Sequence, residues 1–311
     1  MSSFFSICIP AYKNAGYLRN LLDSIDKQSF RDFEVIVSDD SPGDEVEILC
    51  KEYNEKFKLL YFKNIPAKGS PLNWNTAIEK ASGLWIKLMH DDDWFASSES
   101  LKDYSIALVT EPKIDFIFSY YADYENGHLK KTNRLSKLNA FFLSKSPLYL
   151  FRKNYVGNPS NVLIRNNSHE WYDTNLKWVV DFEFYIRFLK NHKFYCIPKI
   201  LVNVGNNEEQ ITKQVFRNIK VEIPENIYML NKLGAKTLSN IIVYDYYWRL
   251  FRNLKIRSKK EVTEVSLENK LPQQLIKLME FQFRFSLKML NIGIFSKLLM
   301  LISYVRFRLF E

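Results

Sequence analysis

The chain has 311 residues, 47% hydrophobic and 25% charged, with no repeat or low-complexity tract. That is the composition of a globular protein with a sizeable core, as one large domain or a domain plus an appendage, and it excludes repeat arrays and disordered chains. The net charge of +9 is uneven: from Lys213 onward there are 18 Lys and Arg against 8 Asp and Glu, a net of +10, and the first 212 residues carry −1. An anionic partner surface, membrane or nucleic acid, is implied for the C-terminal third. Cys8, Cys50 and Cys196 are far apart and form no CxxC pair. They argue for a reducing compartment and against a zinc knuckle or disulfide frame. The opening "MSSFFSICIP" lacks the basic segment and long apolar run of a signal peptide.

Two periodicities alternate over the first hundred residues. Phe4–Pro10 reads as a strand and about Tyr17–Gln28 as a helix; Phe33–Asp40 is an apolar strand, followed by a helix over about Glu45–Phe57. Lys58–Asn64 is a third strand, Pro71–Ser82 a helix, Leu84–Met89 a fourth strand. A helix over about Ser98–Val109 precedes a strand at Ile114–Tyr120. Such alternation with short connections predicts a mostly parallel α/β sheet with helices on both faces. The pattern loosens between Tyr121 and Gly205, where Asn161–Arg165 and Lys193–Val204 read as strands and Phe182–Lys190 as a helix. From about Pro224 the chain is helical, basic and aromatic, so a boundary falls near residues 212–224. The expected domains are 1–212, with nucleotide-sugar binding in 1–120 and acceptor and catalytic functions in 121–212, and a helical region 213–311.

Ligands of open parallel sheets bind at the carboxyl ends of the strands. Two acidic groups fall there: Asp39-Asp40 after the second strand and Asp91-Asp92-Asp93 after the fourth. Neither lies in a glycine-rich phosphate loop, and no Walker A sequence occurs. A hard cation, Mg²⁺ or Mn²⁺, bridging carboxylates and phosphate oxygens would let neighbouring aspartates stay ionised together. Either cluster alone is no more than a solvated helix start; two at strand ends of one sheet point to a nucleotide site.

The stretches "SICIPAYKNAGYLRNLLDSIDKQSFRDFEVIVSDDSPGDE" and "NTAIEKASGLWIKLMHDDDWF" resemble glycosyltransferase family 2, inverting enzymes of the GT-A fold, in its bacterial surface-polysaccharide (O-antigen or capsule) branch. The resemblance is dense over residues 4–120, thinner to about 212, and absent beyond. It implies that Pro10, Ala11, Tyr12 and Asn14 line the nucleotide base, that Asp40 with Asp39 contacts the base, that Gly69 forms a turn near the donor, and that Asn75 and Ala77 mark the entry to the helix before the acidic strand end, Asn75 belonging to the nucleotide-sugar site. Asp91, Asp92 and Asp93 cover the family's DxD region, with His90 where the first acid of the common form stands. Asp92 then becomes the principal metal ligand, Asp91 a ribose or second metal contact, and Asp93 a supporting ligand. His90 is read first as a hydrogen-bonding spacer and second as a metal or diphosphate contact.

An inverting transferase also needs a base for the acceptor hydroxyl. Asp181 in "WVVDFEFYIRFL" fits the family's pattern, with Arg187 one face further on and Glu183 in reserve. Its other reading is a helix N-cap. "GNPSNVLIR" (Gly157–Arg165) resembles the segment beneath the acceptor site, and "NNEEQIT" (Asn206–Thr212) a loop near the diphosphate. Trp171, Tyr172 and Trp178 could stack on a sugar, although core packing is the readier account of any one of them.

In Leu275–Phe310 the longest uncharged runs are eight residues, too short to span a bilayer. A basic amphipathic segment of this kind suits the membrane interface. Packing on the catalytic domain or in a homodimer is the other use, and no nucleic-acid-binding motif is present. The resemblance therefore implies a cytoplasmic enzyme, peripheral at the inner face of the membrane. It would be metal-dependent and would move a sugar from a nucleoside-diphosphate donor, UDP or dTDP before GDP, to a glycan or lipid-linked acceptor. A nucleotidyltransferase and a nucleotide-sugar-binding protein without catalysis are the alternatives.

Overall fold

A computed structural model describes residues 3–167, 171–207, 215–266 and 270–309. The chain divides into two compact units. The first comprises Met1–Pro147, Tyr155–Thr174 and Phe184–Glu208; the second comprises Leu148–Asn154, Asn175–Glu183 and Glu209–Glu311.

In the first unit, β1 (Phe5–Ala11), β2 (Phe33–Asp39) and β4 (Trp85–Leu88) are buried at every residue, so their apolar runs need no alternation. With β3 (Leu59–Lys63) they form a parallel block in the order β3-β2-β1-β4. Helix α1 (Ala15–Asp26) turns Leu18, Leu21, Leu22 and Ile25 to the core at i, i+3, i+4 and i+7. Helix α2 (Glu45–Tyr53) repeats the spacing with Val46, Leu49, Cys50 and Tyr53. Truncating one of these leucines to alanine costs about 2–5 kcal/mol by the usual transfer and cavity terms. Helix α3 (Leu72–Glu79) precedes β4, and the short β5 (Trp94–Phe95) precedes α4 (Ser100–Thr110).

Beyond α4 the sheet becomes mixed. Strand β6 (Phe116–Glu125) runs past the expected end at Tyr120 and turns through Asn126 (φ 51°) and Gly127 (φ 75°) into β7 (His128–Asn133). Two successive left-handed residues make the tight hairpin that an Asn-Gly pair favours. After α5 (Lys137–Lys145), β8 (Val162–Arg165) inserts antiparallel between β4 and β6. Strand β9 (Phe194–Asn206) follows α6 (Val180–Leu189), pairs parallel with β6 and antiparallel with β5, and completes nine strands among the described residues.

Two charged side chains are sealed inside this sheet. Glu34 of β2 accepts hydrogen bonds from Ser6 Oγ, Ser82 N and Ser82 Oγ, and pairs with Lys58 Nζ at 2.6 Å. Burial alone would raise its pKa, but these donors outweigh it and hold the carboxyl at about 2. Lys87 of β4 donates to the carbonyls of Ser160 and Val162, and burial pulls its ammonium down to about 7.

The second unit is helical: α7 (Ile219–Leu233), α8 (Ile241–Asn253), α9 (Lys259–Val265), α10 (Gln273–Gln282), α11 (Leu287–Asn291) and α12 (Gly293–Leu309). Its core is aromatic, with each polar handle satisfied. Trp248 Nε1 donates to Ser296 Oγ at 3.0 Å, and the Tyr244 and Ser303 hydroxyls meet at 2.8 Å. No described helix is long and apolar enough to cross a membrane.

Candidate active site

The carboxyl ends of β1, β2 and β4 lie side by side because Ala11 is in register with Asp39 and Cys8 with Leu88. Four consecutive residues, His90 to Asp93, leave β4 through a turn closed by the Asp93 N–H on the His90 carbonyl (3.1 Å). The turn brings ligand atoms of His90, Asp92 and Asp93 within 4.8 Å of one another. Asp91 points elsewhere: its Oδ2 accepts the Tyr12 N–H at 3.1 Å. Where the sequence groups three aspartates, the structure groups two with the histidine.

Other segments shape this turn. Asn158 Nδ2 and the Gly205 N–H donate to the two oxygens of Asp93, at 3.1 and 3.0 Å. Ser160 Oγ accepts the His90 N–H at 2.8 Å, and Asn207 Nδ2 donates to Asp92 Oδ2 at 2.8 Å. A side chain at Gly205 would collide with the Asp92 carbonyl, so β9 can approach the turn only through glycine. Trp74 and Tyr172 build an aromatic wall against the His90 ring, with centroids 4.8 Å (Trp74–His90) and 5.2 Å (Trp74–Tyr172) apart. Asn75 fixes that wall by a two-way bond with the Tyr172 backbone, at 2.7 and 3.1 Å.

This turn is electrostatically unfinished. Burial, reinforced by the Asp92 charge, pushes Asp91 up to about 7 and Asp93 well above the usual carboxylate range. Burial also holds His90 below its ordinary value. His90 Nε2 is buried and has no hydrogen-bond partner. An orphaned imidazole nitrogen within reach of the Asp92 and Asp93 carboxylates, the second of which resists ionising, is the donor set a divalent cation would complete. A cleft of about 180 Å³ opens beside Asp92, bordered by Tyr17, Asn20, Trp94, Tyr124 and Asn206.

The Asp39-Asp40 pair is finished by contrast. Asp39 accepts from Ser41 N (2.7 Å), Tyr61 OH (2.7 Å) and Lys63 Nζ (3.0 Å). Asp40 accepts from Asn64 Nδ2 (2.8 Å) and from the Lys68 and Gly69 N–H groups (3.0 and 2.7 Å). Gly69 has φ +72°, which allows the loop to fold back onto Asp40. The Asp40 N–H donates to the Ala11 carbonyl, and Pro10 sits in register with Ser38. Asn14 is the N-cap of α1, its side chain accepting the Tyr17 N–H, and Tyr12 is exposed. Buried Ala77 belongs to α3.

Asp181 lies in the second unit, in the first turn of α6 and not at its cap. That turn is held by Glu225 of α7, whose carboxylate accepts the N–H groups of Lys177, Trp178 and Val179 at 2.8–3.2 Å. Asn154 Nδ2 donates to Asp181 Oδ2 at 3.2 Å and the Phe182 N–H to Oδ1 at 2.8 Å. Burial still raises the Asp181 carboxyl to about 6. Glu183, the reserve base, is fully buried and tied to Lys232 at 3.0 Å. Arg187 donates to the Trp171 carbonyl at 2.6 Å, Trp171 stacks on Phe184, and Trp178 packs on Phe216. Of the "NNEEQIT" loop only Asn206 and Asn207 fall within the described residues.

The family model for glycosyl transferase family 2 matches residues 6–172, more than half of the chain. The chain belongs to glycosyl transferase family 2. It is a glycosyl-transferring enzyme of the GT-A fold, which sets nucleotidyl transfer aside. A glycosyltransferase of Methanocaldococcus jannaschii, MJ1057, is 27% identical over 76% of this chain and 80% of that protein. The Staphylococcus aureus poly(ribitol-phosphate) β-N-acetylglucosaminyltransferase TarS is 31% identical over 36% of this chain and 20% of its own length. The structure of S. aureus TarS 1–349 with UDP-GlcNAc superposes with a TM-score of 0.58 at 18% identity, covering 99% of this chain and 80% of that one. A Pyrobaculum calidifontis mannosyltransferase with GDP-Man and Mn²⁺ gives 0.55 at 11%, covering 100% and 88%.

Proposed function

We propose that this family 2 enzyme inverts configuration at the transferred sugar. It takes the sugar from a UDP or dTDP donor to a glycan or lipid-linked acceptor at the cytoplasmic face of a membrane. The observation that carries the reading is the unfinished turn at the end of β4, with its partnerless His90 Nε2 beside Asp92 and Asp93. These three residues would hold the cation, and an imidazole in the set moves the preference from Mg²⁺ toward Mn²⁺. A cation bound there would supply Lewis-acid neutralisation of charge on the leaving diphosphate. The TarS and mannosyltransferase neighbours, bound to UDP-GlcNAc and to GDP-Man with Mn²⁺, support a nucleotide-sugar donor of this kind.

Each remaining role falls to this chain's own side chains. The finished Asp39–Asp40 network, with Ala11 and Gly69, presents a rigid floor for the nucleotide base, and Pro10, Tyr12 and Asn14 its edge. Asp91, held by the Tyr12 N–H, would accept from ribose. Asp181, poised near 6 and mostly ionised at neutral pH, would accept the proton of the acceptor hydroxyl as that oxygen attacks. Membrane contact through the basic helical region 213–311 belongs to the same reading, supported by its net charge of +10.

A panel of UDP-, dTDP- and GDP-sugars, scored by thermal shift with and without Mn²⁺, tests the donor site. A Mn²⁺-dependent rise with one UDP or dTDP sugar is expected, and no rise with any donor would overturn the assignment. Asp181→Asn should keep that rise and lose transfer; loss of both would return Asp181 to a structural role.

A further inference from the structure

Helix α12 is apolar on two opposite faces. Ser296, Leu299, Met300, Ser303 and Phe307 are buried within the second unit. Ile294, Leu298, Leu301, Ile302, Val305 and Leu309 are exposed by 38–89%. Their spacing, i, i+4, i+7, i+8, i+11 and i+15, confines them to an arc of about 100° at 100° per residue. Soluble surfaces scatter single apolar residues and rarely line up six large ones on one helix.

Charge identifies the occupant. On the same wheel Arg308 and Lys297 flank the stripe on one side and Arg306 on the other, all three exposed. From Phe281 to Leu309 there are five cations (Arg284, Lys288, Lys297, Arg306 and Arg308) and no Asp or Glu. Lys297 also pairs with Asp245, and Arg306 lies over the Phe281 ring, so these stems are anchored beside the stripe. A second copy docked face to face would set cations against cations. A bilayer with anionic headgroups matches both features, taking the apolar stripe below the headgroups and the flanking cations at phosphate level. At 17 residues, α12 lies on such a surface and does not cross it.

We infer that the exposed face of α12, with its flanking Lys297, Arg306 and Arg308, is an in-plane docking surface for an anionic lipid bilayer. This rests on the reading of the 213–311 region as membrane-facing and is independent of the assignment of the β4 turn.

The test is co-sedimentation of the full chain with phosphatidylcholine vesicles, with and without phosphatidylglycerol. Binding to the anionic vesicles at low salt is expected, weakened at high salt. Leu298→Glu/Ile302→Glu, at two exposed positions, should reduce the partition coefficient by at least ~10-fold. Its melting temperature and Mn²⁺-dependent donor shift should match the parent. Three outcomes would overturn the inference: a parent that stays unbound at low salt, a double variant that binds like the parent, or a parent dimer that the double variant splits. Donor binding is scored separately, so failure of the glycosyltransferase site and failure of this surface are distinguishable.

Discussion

Two acidic strand ends stand on either side of β1 in one sheet and have opposite electrostatics. At the end of β2, Asp39 and Asp40 are buried, yet six donors of the chain itself surround their oxygens, among them the Lys63 ammonium. At the end of β4, carboxyls of similar burial are raised and a histidine nitrogen has no partner. A buried charge is tolerated when its oxygens are filled, and otherwise shifts its pKa or recruits a counter-ion. The first site is therefore complete in the protein alone, and the second is completed by what it binds.

Asp92→Asn gives the largest expected effect. Transfer should fall by about 10³-fold, the scale of losing charge stabilisation at a leaving group. The melting temperature without metal should hold or rise, because one of the mutually repelling charges is gone. A drop in melting temperature matching the loss of transfer would mean that this turn, too, is structural.

Asp39→Ala should behave in the reverse way. It leaves Ser41 N and Tyr61 OH without this acceptor and Lys63 Nζ with only the Gly43 carbonyl, which costs about 2–4 kcal/mol. Chemical denaturation should show that loss equally with and without Mn²⁺. If the variant kept parental stability and lost only donor binding, the completed network would be a binding feature and the contrast would collapse.

How much of this contrast was legible in the sequence depends on what local pattern can carry. Apolar runs ending in Asp39-Asp40 and Asp91–Asp93 located both strand ends, and the i, i+3, i+4, i+7 spacing located α1 and α2. Partners distant in sequence were not legible. The family resemblance set Gly157–Arg165 beneath the acceptor site and Asn206–Thr212 near the diphosphate, but no local pattern shows that Asn158, Ser160 and Gly205 bond to the β4 turn, and the antiparallel insertion of β8 that brings the first two there is a pairing choice with no local signature. Nor does "HDDDW" reveal which side chains share a direction. The i to i+3 turn decides it, placing His90 with Asp93 and sending Asp91 to Tyr12. One signal was available and unread: the Asn126-Gly127 pair, which marks the β6–β7 hairpin.

His90→Gln tests a smaller difference. Replacing the imidazole removes the nitrogen ligand and keeps a polar side chain of similar reach. The Mn²⁺ midpoint for donor binding should rise by about 10-fold, while the response to Mg²⁺, which favours oxygen, changes less. An unchanged Mn²⁺ midpoint would return His90 to the role of spacer and leave the orphaned Nε2 unexplained.

Asp181 stands between the two extremes, with two donors on its carboxylate and a pKa still raised to about 6. If it is the base, the ionised form is active, so kcat/KM should rise with pH through an inflection near 6 and level off above it. Asn154 donates to this carboxylate and so favours its charged form. Asn154→Ala removes that donor, and the inflection should move upward by about half a unit, the share of one neutral hydrogen bond. The sign of the change is specific: activity falls at pH 5.5–6 and is unchanged at pH 8, where the carboxyl is ionised in both proteins. A uniform loss across the pH range would show that Asn154 acts on the fold of the turn. An inflection that stayed in place would show that the titrating group is not Asp181. Either result would leave the β4 turn as the one acidic site whose chemistry depends on its incompleteness.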